Sequence, residues 1–516
     1  MALLLCPNQL FEHEPIELIR RKGIEEIREI IVWEDPAFFG DRKGSPHGSA
    51  LLRLNKMRIL YMRVATKWYV KYLQNAFAGT GSNSNTSIKV THVSVDDLWN
   101  LSPQKRYQMI ENVGRLWIFD PMDHLFMKRL MSNKIIASSI TVLDSPQFLL
   151  TNREIQEYAR HHEGKRLQHS TFFAYVKEKL GILVNVPSMD ENNRRPFPKG
   201  GKELPTPPFV ATNSGQIRGW DRKNQWLQEQ QWIERHPIFS KNPGSTEDIG
   251  YPYVFSDVRA WFDKFLRERF ALFGTYEDAV VPESPWMYHS GIAVFLNMGL
   301  LTPKYVIDTL HNPKNRALTK QMNNYEGFLR QLMGWREYSR LYYTVVPPKI
   351  YLKNIFGMKK KVLPASWYIN QTTRDGKITG KVRYNGKSTG NSFIDDTIKD
   401  AWNTGYLHHI RRLMVISNYM TLSEIHPDRA FDWMYEFSMD SWDWVMVFNV
   451  YSMGTWSDGG FAMRKPYISS SSYLKKMANM RAGKDSYIWD EKFKHFLVKH
   501  KEILKHTQLA KLVKSL

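Results

Sequence analysis

Over residues 1 to about 150, short apolar runs alternate with longer stretches of helical spacing. Segments 3–6, 30–33, 88–93, 116–119 and 135–142 read as strands, and 51–76 carries the three-and-four spacing of a helix. Strand alternating with helix predicts a parallel α/β domain, whose ligands sit at the carboxyl ends of the strands. Asn8 follows the first strand and Glu34 the second. Both are placed to line such a crevice or to make ordinary turns.

Segment 185–245 is rich in Pro, Gly, Asn and Lys and reads as an extended connection. From Phe255 onward the pattern is helical: Ser256 is positioned to cap a helix running through Trp261, Phe265 and Phe270. Segment 372–392 is polar and Gly-rich, a predicted surface loop, and 490–516 is a Lys-rich helical end. Three regions follow: 1–150 α/β, 151–245 a helical segment with the interdomain connection, and 246–516 all helical.

Several helical faces carry chemistry. Over 397–420, Trp402, Tyr406, His409 and Leu413 are spaced four, three and four, which puts His409 inward. Such a histidine is either a satisfied core residue or a proton donor in a pocket. His408 and Arg412 share the adjoining face. A second helix starts at Pro427, with Trp433, Phe437, Asp440 and Trp444 in the same rhythm, so Asp440 sits on an aromatic stripe. A carboxylate there needs a partner, and Arg412 on the preceding helix is the nearest by topology. The pair is either structural or a clamp for a planar heteroaromatic such as flavin. Tyr288, His289 and Ser290 before an apolar run suit an anion. Trp335 and Arg336, in a helix over 326–338, face a ligand or pack.

Composition narrows the field. The chain has 516 residues and a net charge of +21, which favours a nucleic-acid partner over an acidic protein or an anionic membrane surface. Seventeen tryptophans ask for an aromatic cofactor site, an electron path or a dense core. Cys6 is the single cysteine, so no intrachain disulfide or Cys-based metal site is expected, which fits a reducing, intracellular compartment. No apolar run is long enough to predict a membrane span.

GWREY at 334–338, GYLHHIRRLM at 405–414, and 443–477 with its DGG and KPY elements resemble the bacterial iron–sulfur branch of the photolyase and cryptochrome superfamily. PNQLF, VWEDPAFF, YEDAV at 276–280 and HSGIAVFLNMGLL match in the same order, and DENNR at 190–194 resembles the end of the family's interdomain loop. The resemblance implies the photolyase fold: an α/β Rossmann-like antenna domain followed by an all-α FAD-binding domain. It implies light-driven electron transfer from reduced FAD to a (6-4) photoproduct in UV-damaged DNA. It assigns His409 as the essential histidine, with His408, Tyr467, Tyr473 and Lys465 at the lesion. Arg412 and Asp440 fall at the flavin ring, Tyr276, His289 and Ser290 near the phosphates, and Trp335, Arg336, Met446 and Asn449 along the pocket. Trp433 falls on an electron-transfer tryptophan. A lumazine-type antenna would meet Asn8 and Glu34.

The departures are specific. The family's four cluster cysteines fall at Phe393, Met480, Gly483 and near Trp489, so no iron–sulfur cluster is expected. The glutamate near flavin N5 falls on Met446, the outer electron-transfer tryptophan on Asn385, and a phosphate-site serine on Ala293. The intact histidines and tyrosines favour a DNA photolyase. The losses favour a cryptochrome-like photoreceptor, or a photolyase-derived nucleic-acid-binding or structural protein within a larger assembly.

Overall fold

A computed structural model describes residues 1–20, 27–78, 88–198, 203–210, 220–360, 363, 367 and 389–515. Five strands, β1 (Ala2–Leu5), β2 (Glu29–Trp33), β3 (Lys89–Val93), β4 (Leu116–Phe119) and β5 (Ile140–Leu143), form one parallel sheet in the order β3-β2-β1-β4-β5. β1 is buried along its whole length, as its unbroken apolar run requires of a central parallel strand. The helix Lys56–Phe77 crosses beneath, its first turn closed by the Asn55 side chain accepting from Met57 N–H at 2.9 Å.

Residues 135–139 are not strand. Asn133 accepts from the N–H groups of Ile135 and Ile136 and starts a helix, Lys134–Ser139, leaving β5 only from Ile140. A local cap outcompetes a β-prone run at the sheet edge. Ser256 is not a cap either: the helix Phe255–Glu268 begins one residue earlier and breaks at Arg269 before Phe270–Phe273.

The remainder is helical, and the sheet domain is welded to it by buried polar contacts. Arg42 pairs with Asp123 at 2.6 Å and Asp443 at 3.0 Å, and His47 lies 2.9 Å from Asp443. Gln147 donates to the carbonyl of Asn297 at 2.9 Å and Leu149 N–H to Glu337 at 2.7 Å. Among the described residues, no helix is long and apolar enough to cross a membrane. Most of the predicted surface loop 372–392, including Asn385, lies outside the described residues.

Candidate functional site

Two of the predicted helical faces are interrupted, and the interruptions build the site. The helix Ser392–Thr404 stops at Gly405, whose φ of +63° is the left-handed cap that glycine favours. A Cβ there would lie 2.4 Å from Met439. Helical structure resumes only at His409, so the phase set by Trp402 is lost. His408 is therefore the inward histidine, 1% exposed, while the His409 side chain is 42% exposed. Likewise Pro427–Phe437 ends before Asp440, which sits in the connecting segment rather than on the stripe with Trp433.

Three π-helical segments, Arg330–Trp335, Arg411–Ser417 and Val447–Gly454, carry Trp335, Arg412 and Asn449. Wide turns of this kind concentrate at functional positions because they displace side chains from regular helical faces. Gly334 allows His169 to pack against the first of them, where a Cβ would meet His169 Nε2 at 2.9 Å. The His169 ring stacks on Trp335 at 3.9 Å.

His289, His408 and His409 form a stack with ring centroids 4.1 to 5.0 Å apart. Their partners fix the tautomers. His289 Nε2 donates to the Glu277 carbonyl at 2.9 Å, leaving Nδ1 as an acceptor. His408 Nδ1 accepts from Ile410 N–H at 3.2 Å, so its hydrogen is on Nε2, which is buried without a hydrogen-bond partner among the described residues. His409 Nε2 donates to Asp278 at 3.1 Å. Burial, reinforced by His409, pushes His289 down to about 3. Burial, with the His289 and His409 rings beside it, holds His408 well below the usual imidazole range. Burial opposes ionisation of Asp278, but the hydrogen bond from His409 leaves it below the ordinary carboxylate value.

Tyr467 and Tyr473 join this cluster. Burial pushes both phenols up, with Arg194 opposing it at Tyr467 and Asp278 adding to it at Tyr473. Arg194 keeps its charge against burial because Glu277 and Asp278 face it. Lys465 is exposed two residues before Tyr467. Sequence reasoning missed Glu277, Asp278 and Arg194 as site residues, although the motifs 276–280 and 190–194 that contain them were visible.

A second cluster lies beside the first. Arg412 Nη2 lies 2.8 and 3.0 Å from the two Asp440 oxygens, and Nε donates to the Leu407 carbonyl at 2.8 Å. Asn297 donates to the Asp440 carbonyl at 2.7 Å, and Arg336 donates to Asn297 at 2.5 Å and to the Gln147 carbonyl at 3.1 Å. Tyr406 stacks on Trp286 at 5.3 Å. Arg269, near Tyr406 and His289, was not foreseen: it is 1% exposed, its guanidinium lies 5.9 Å over the Phe265 ring, and among the described residues none of its three nitrogens has a hydrogen-bond partner. Burial pulls it down to about 10.

The other predicted residues are placed as follows. Tyr276 stacks on Tyr288 at 5.4 Å in a small apolar cluster with Phe197, and the Ser290 carbonyl takes the Trp261 indole N–H at 2.7 Å. Met446 is 2% exposed and belongs to the core. Asn449 is satisfied within its own helix, donating to the Val445 carbonyl at 2.7 Å. Trp433 is fully buried, stacks on Phe437 at 4.6 Å and donates to the Trp367 carbonyl at 3.2 Å. Asn8 is buried and donates to the Pro121 carbonyl at 2.8 Å. Glu34 is also buried and committed to Arg63 at 3.1 Å, Val95 N–H at 3.0 Å and His92 at 3.3 Å. Burial would raise its carboxyl group, yet Arg63 and His92 hold it low.

Phe393 and Gly483 flank a clasp between two chain segments, and Met480 and Trp489 are buried. Ser392 donates to Asp485 from both N–H (2.9 Å) and hydroxyl (2.6 Å). Trp489, fully buried, donates to the Ser469 carbonyl at 3.0 Å and packs on Tyr419 at 5.2 Å.

A family model described as deoxyribodipyrimidine photo-lyase-related protein matches residues 52–222. A (6-4) photolyase of Agrobacterium fabrum is 26% identical over 383 residues, 71% of this chain and 69% of that protein. The chain belongs to the photolyase/cryptochrome superfamily. An uncharacterized protein of Acanthamoeba polyphaga mimivirus is 40% identical over 122 residues, 23% of this chain and 92% of its own length. The photolyase fold is also seen in the likeness to a Synechocystis cryptochrome structure, with a TM-score of 0.52 at 10% identity, covering 98% of this chain and 91% of that one.

Proposed function

We propose that this photolyase-related protein is a light-driven DNA repair enzyme that uses FAD to reverse (6-4) pyrimidine–pyrimidone photoproducts. The observation that carries the reading is the His409–Asp278 pair, an accessible imidazole braced by a carboxylate, beside two tyrosines that burial keeps un-ionised.

The residues present fit FAD. A buried guanidinium without a hydrogen-bond acceptor or counter-charge among the described residues is costly, and Arg269 next to His289 would be neutralised if a pyrophosphate occupied its surroundings. Arg412 and Asp440 would hold the polar edge of the isoalloxazine; Arg269, Ser290 and Tyr276 would hold the phosphates, and His289, its N–H turned to the Glu277 carbonyl, would only wall that pocket. The chemistry that bound, reduced FAD would supply is a photoexcited electron lent to the lesion and returned.

The chain does the rest. With Nε2 engaged by Asp278, His409 presents Nδ1, the atom that passes a proton to the lesion. Asp278 holds the ring in that orientation and stabilises the imidazolium, as buried carboxylates do for catalytic histidines. Tyr467 and Tyr473 donate hydrogen bonds to the lesion, and the charge of +21 favours the phosphate backbone of damaged DNA.

Met446 supports a second reading: an apolar side chain in place of a titratable one suits a photoreceptor that holds FAD without repair. A flavin spectrum of the purified protein, followed by illumination with a lesion-bearing oligonucleotide, separates the two. Light-dependent loss of the (6-4) product is the expected result. A yellow protein with no such loss refutes repair, and a colourless one refutes both.

A further inference from the structure

Glu277 and Asp278 are consecutive, and a carboxyl oxygen of each lies within 4.8 Å of the other and of a His409 ring nitrogen. Two carboxylates this close do not both ionise readily, and their surroundings decide which stays neutral. Asp278 has the His409 N–H. Glu277 is 3% exposed; among the described residues its Oε1 accepts the Gln331 amide at 2.6 Å and its Oε2 has no hydrogen-bond partner. Burial pushes Glu277 up to about 7, with Asp278 adding to it and Arg194, His409 and Arg330 opposing. Those groups come from every side: Arg194 from the interdomain segment, Arg330 and Gln331 from the π-helical segment, Asp278 and His289 from its own loop, and His409 above. Two guanidinium groups facing the cluster favour a proton over a divalent cation in it.

We propose that Glu277 is the proton reservoir of the histidine pocket, a positioning residue that acts through His409. Resting on the repair reading, the step is a proton transfer. After His409 has protonated the lesion from Nδ1, the Glu277 O–H bond breaks and its proton passes through one water to His409 Nδ1, where the N–H bond forms, with no electrons exchanged. The resting state returns when the repaired base releases its proton back along the same path.

The test uses the full chain in the dark and then in light. Infrared difference spectra of wild type against Glu277→Gln read the carboxylic C=O band, and nitrogen-15 spectra read the His409 ring. The band is expected below pH about 7 and lost above it, absent from the variant, with the His409 signals inflecting at the same pH. In light, Glu277→Gln, which keeps a neutral group of the same shape, is expected to slow repair by about tenfold or more and to remove the inflection near neutrality. A wild type without the band, a His409 signal with no matching inflection, or superimposable rate profiles overturns the proposal. Band and matching inflection without repair in wild type overturn the repair reading, and with it the transfer step, while confirming the neutral acid.

Discussion

Removing the Asp440 carboxylate tests the flavin clamp most directly. Asp440→Ala takes away both contacts to Arg412 Nη2, at 2.8 and 3.0 Å, and leaves that guanidinium the Leu407 carbonyl as its remaining recorded acceptor. Stranding one member of a fully buried pair costs about 3–5 kcal/mol. The side chains here retain 19% and 17% exposure, so water recovers part of that. A loss of about 2 kcal/mol in the FAD-bound state is the working figure, equivalent to roughly 30-fold weaker FAD retention. The assay is flavin absorbance per protein after dialysis, with Asp440→Asn as the isosteric control expected to fall between. Asn297 still binds the backbone carbonyl at 440, so the fold is expected to survive. Full FAD occupancy in Asp440→Ala would refute the clamp.

His409→Ala is expected to abolish repair while FAD stays bound, read by chromatography of the illuminated oligonucleotide; undiminished repair rules out His409 as the proton donor. Arg269→Met should act with opposite signs in the two states, stabilising the FAD-free chain by about 1 kcal/mol or more because an unpaired buried charge is gone, and weakening FAD retention. Paired melts with and without FAD check this, and equal retention would show that no phosphate is held there. His169 and His289 are pushed down to about 3 and His408 well below normal, so they stay neutral in the folded chain. The unfolded chain takes up protons below about 6.5 that the folded chain refuses, so stability falls as pH drops below that value, by about 1.4 kcal/mol per unit per histidine. A melting temperature unchanged between pH about 7 and 5.5 contradicts that neutrality.

The sheet was legible because β1 and β2 are continuous apolar runs at the centre of a parallel sheet, which leave little choice of structure. The 135–139 segment was not, because a single Asn133 cap decides it and β-propensity cannot see caps. Helical spacing put Asp440 on an aromatic stripe and topology offered Arg412 as its partner; the pair exists, though neither residue has the predicted setting: one lies in a π-helical segment, the other beyond a helix end. The same limit explains His408 and His409, whose roles as inner and outer histidine exchange across Gly405. Arg269, Glu277 and Asp278 were invisible as a site because each is defined by what surrounds it in space, or by what fails to, and not by spacing along the chain.

The Ser392–Asp485 clasp has a consequence for biogenesis. A hydroxyl, an amide and a carboxylate are present in every newly made chain, so this contact between positions 392 and 485 forms from protein groups alone. It is also inert to oxygen and to chelators.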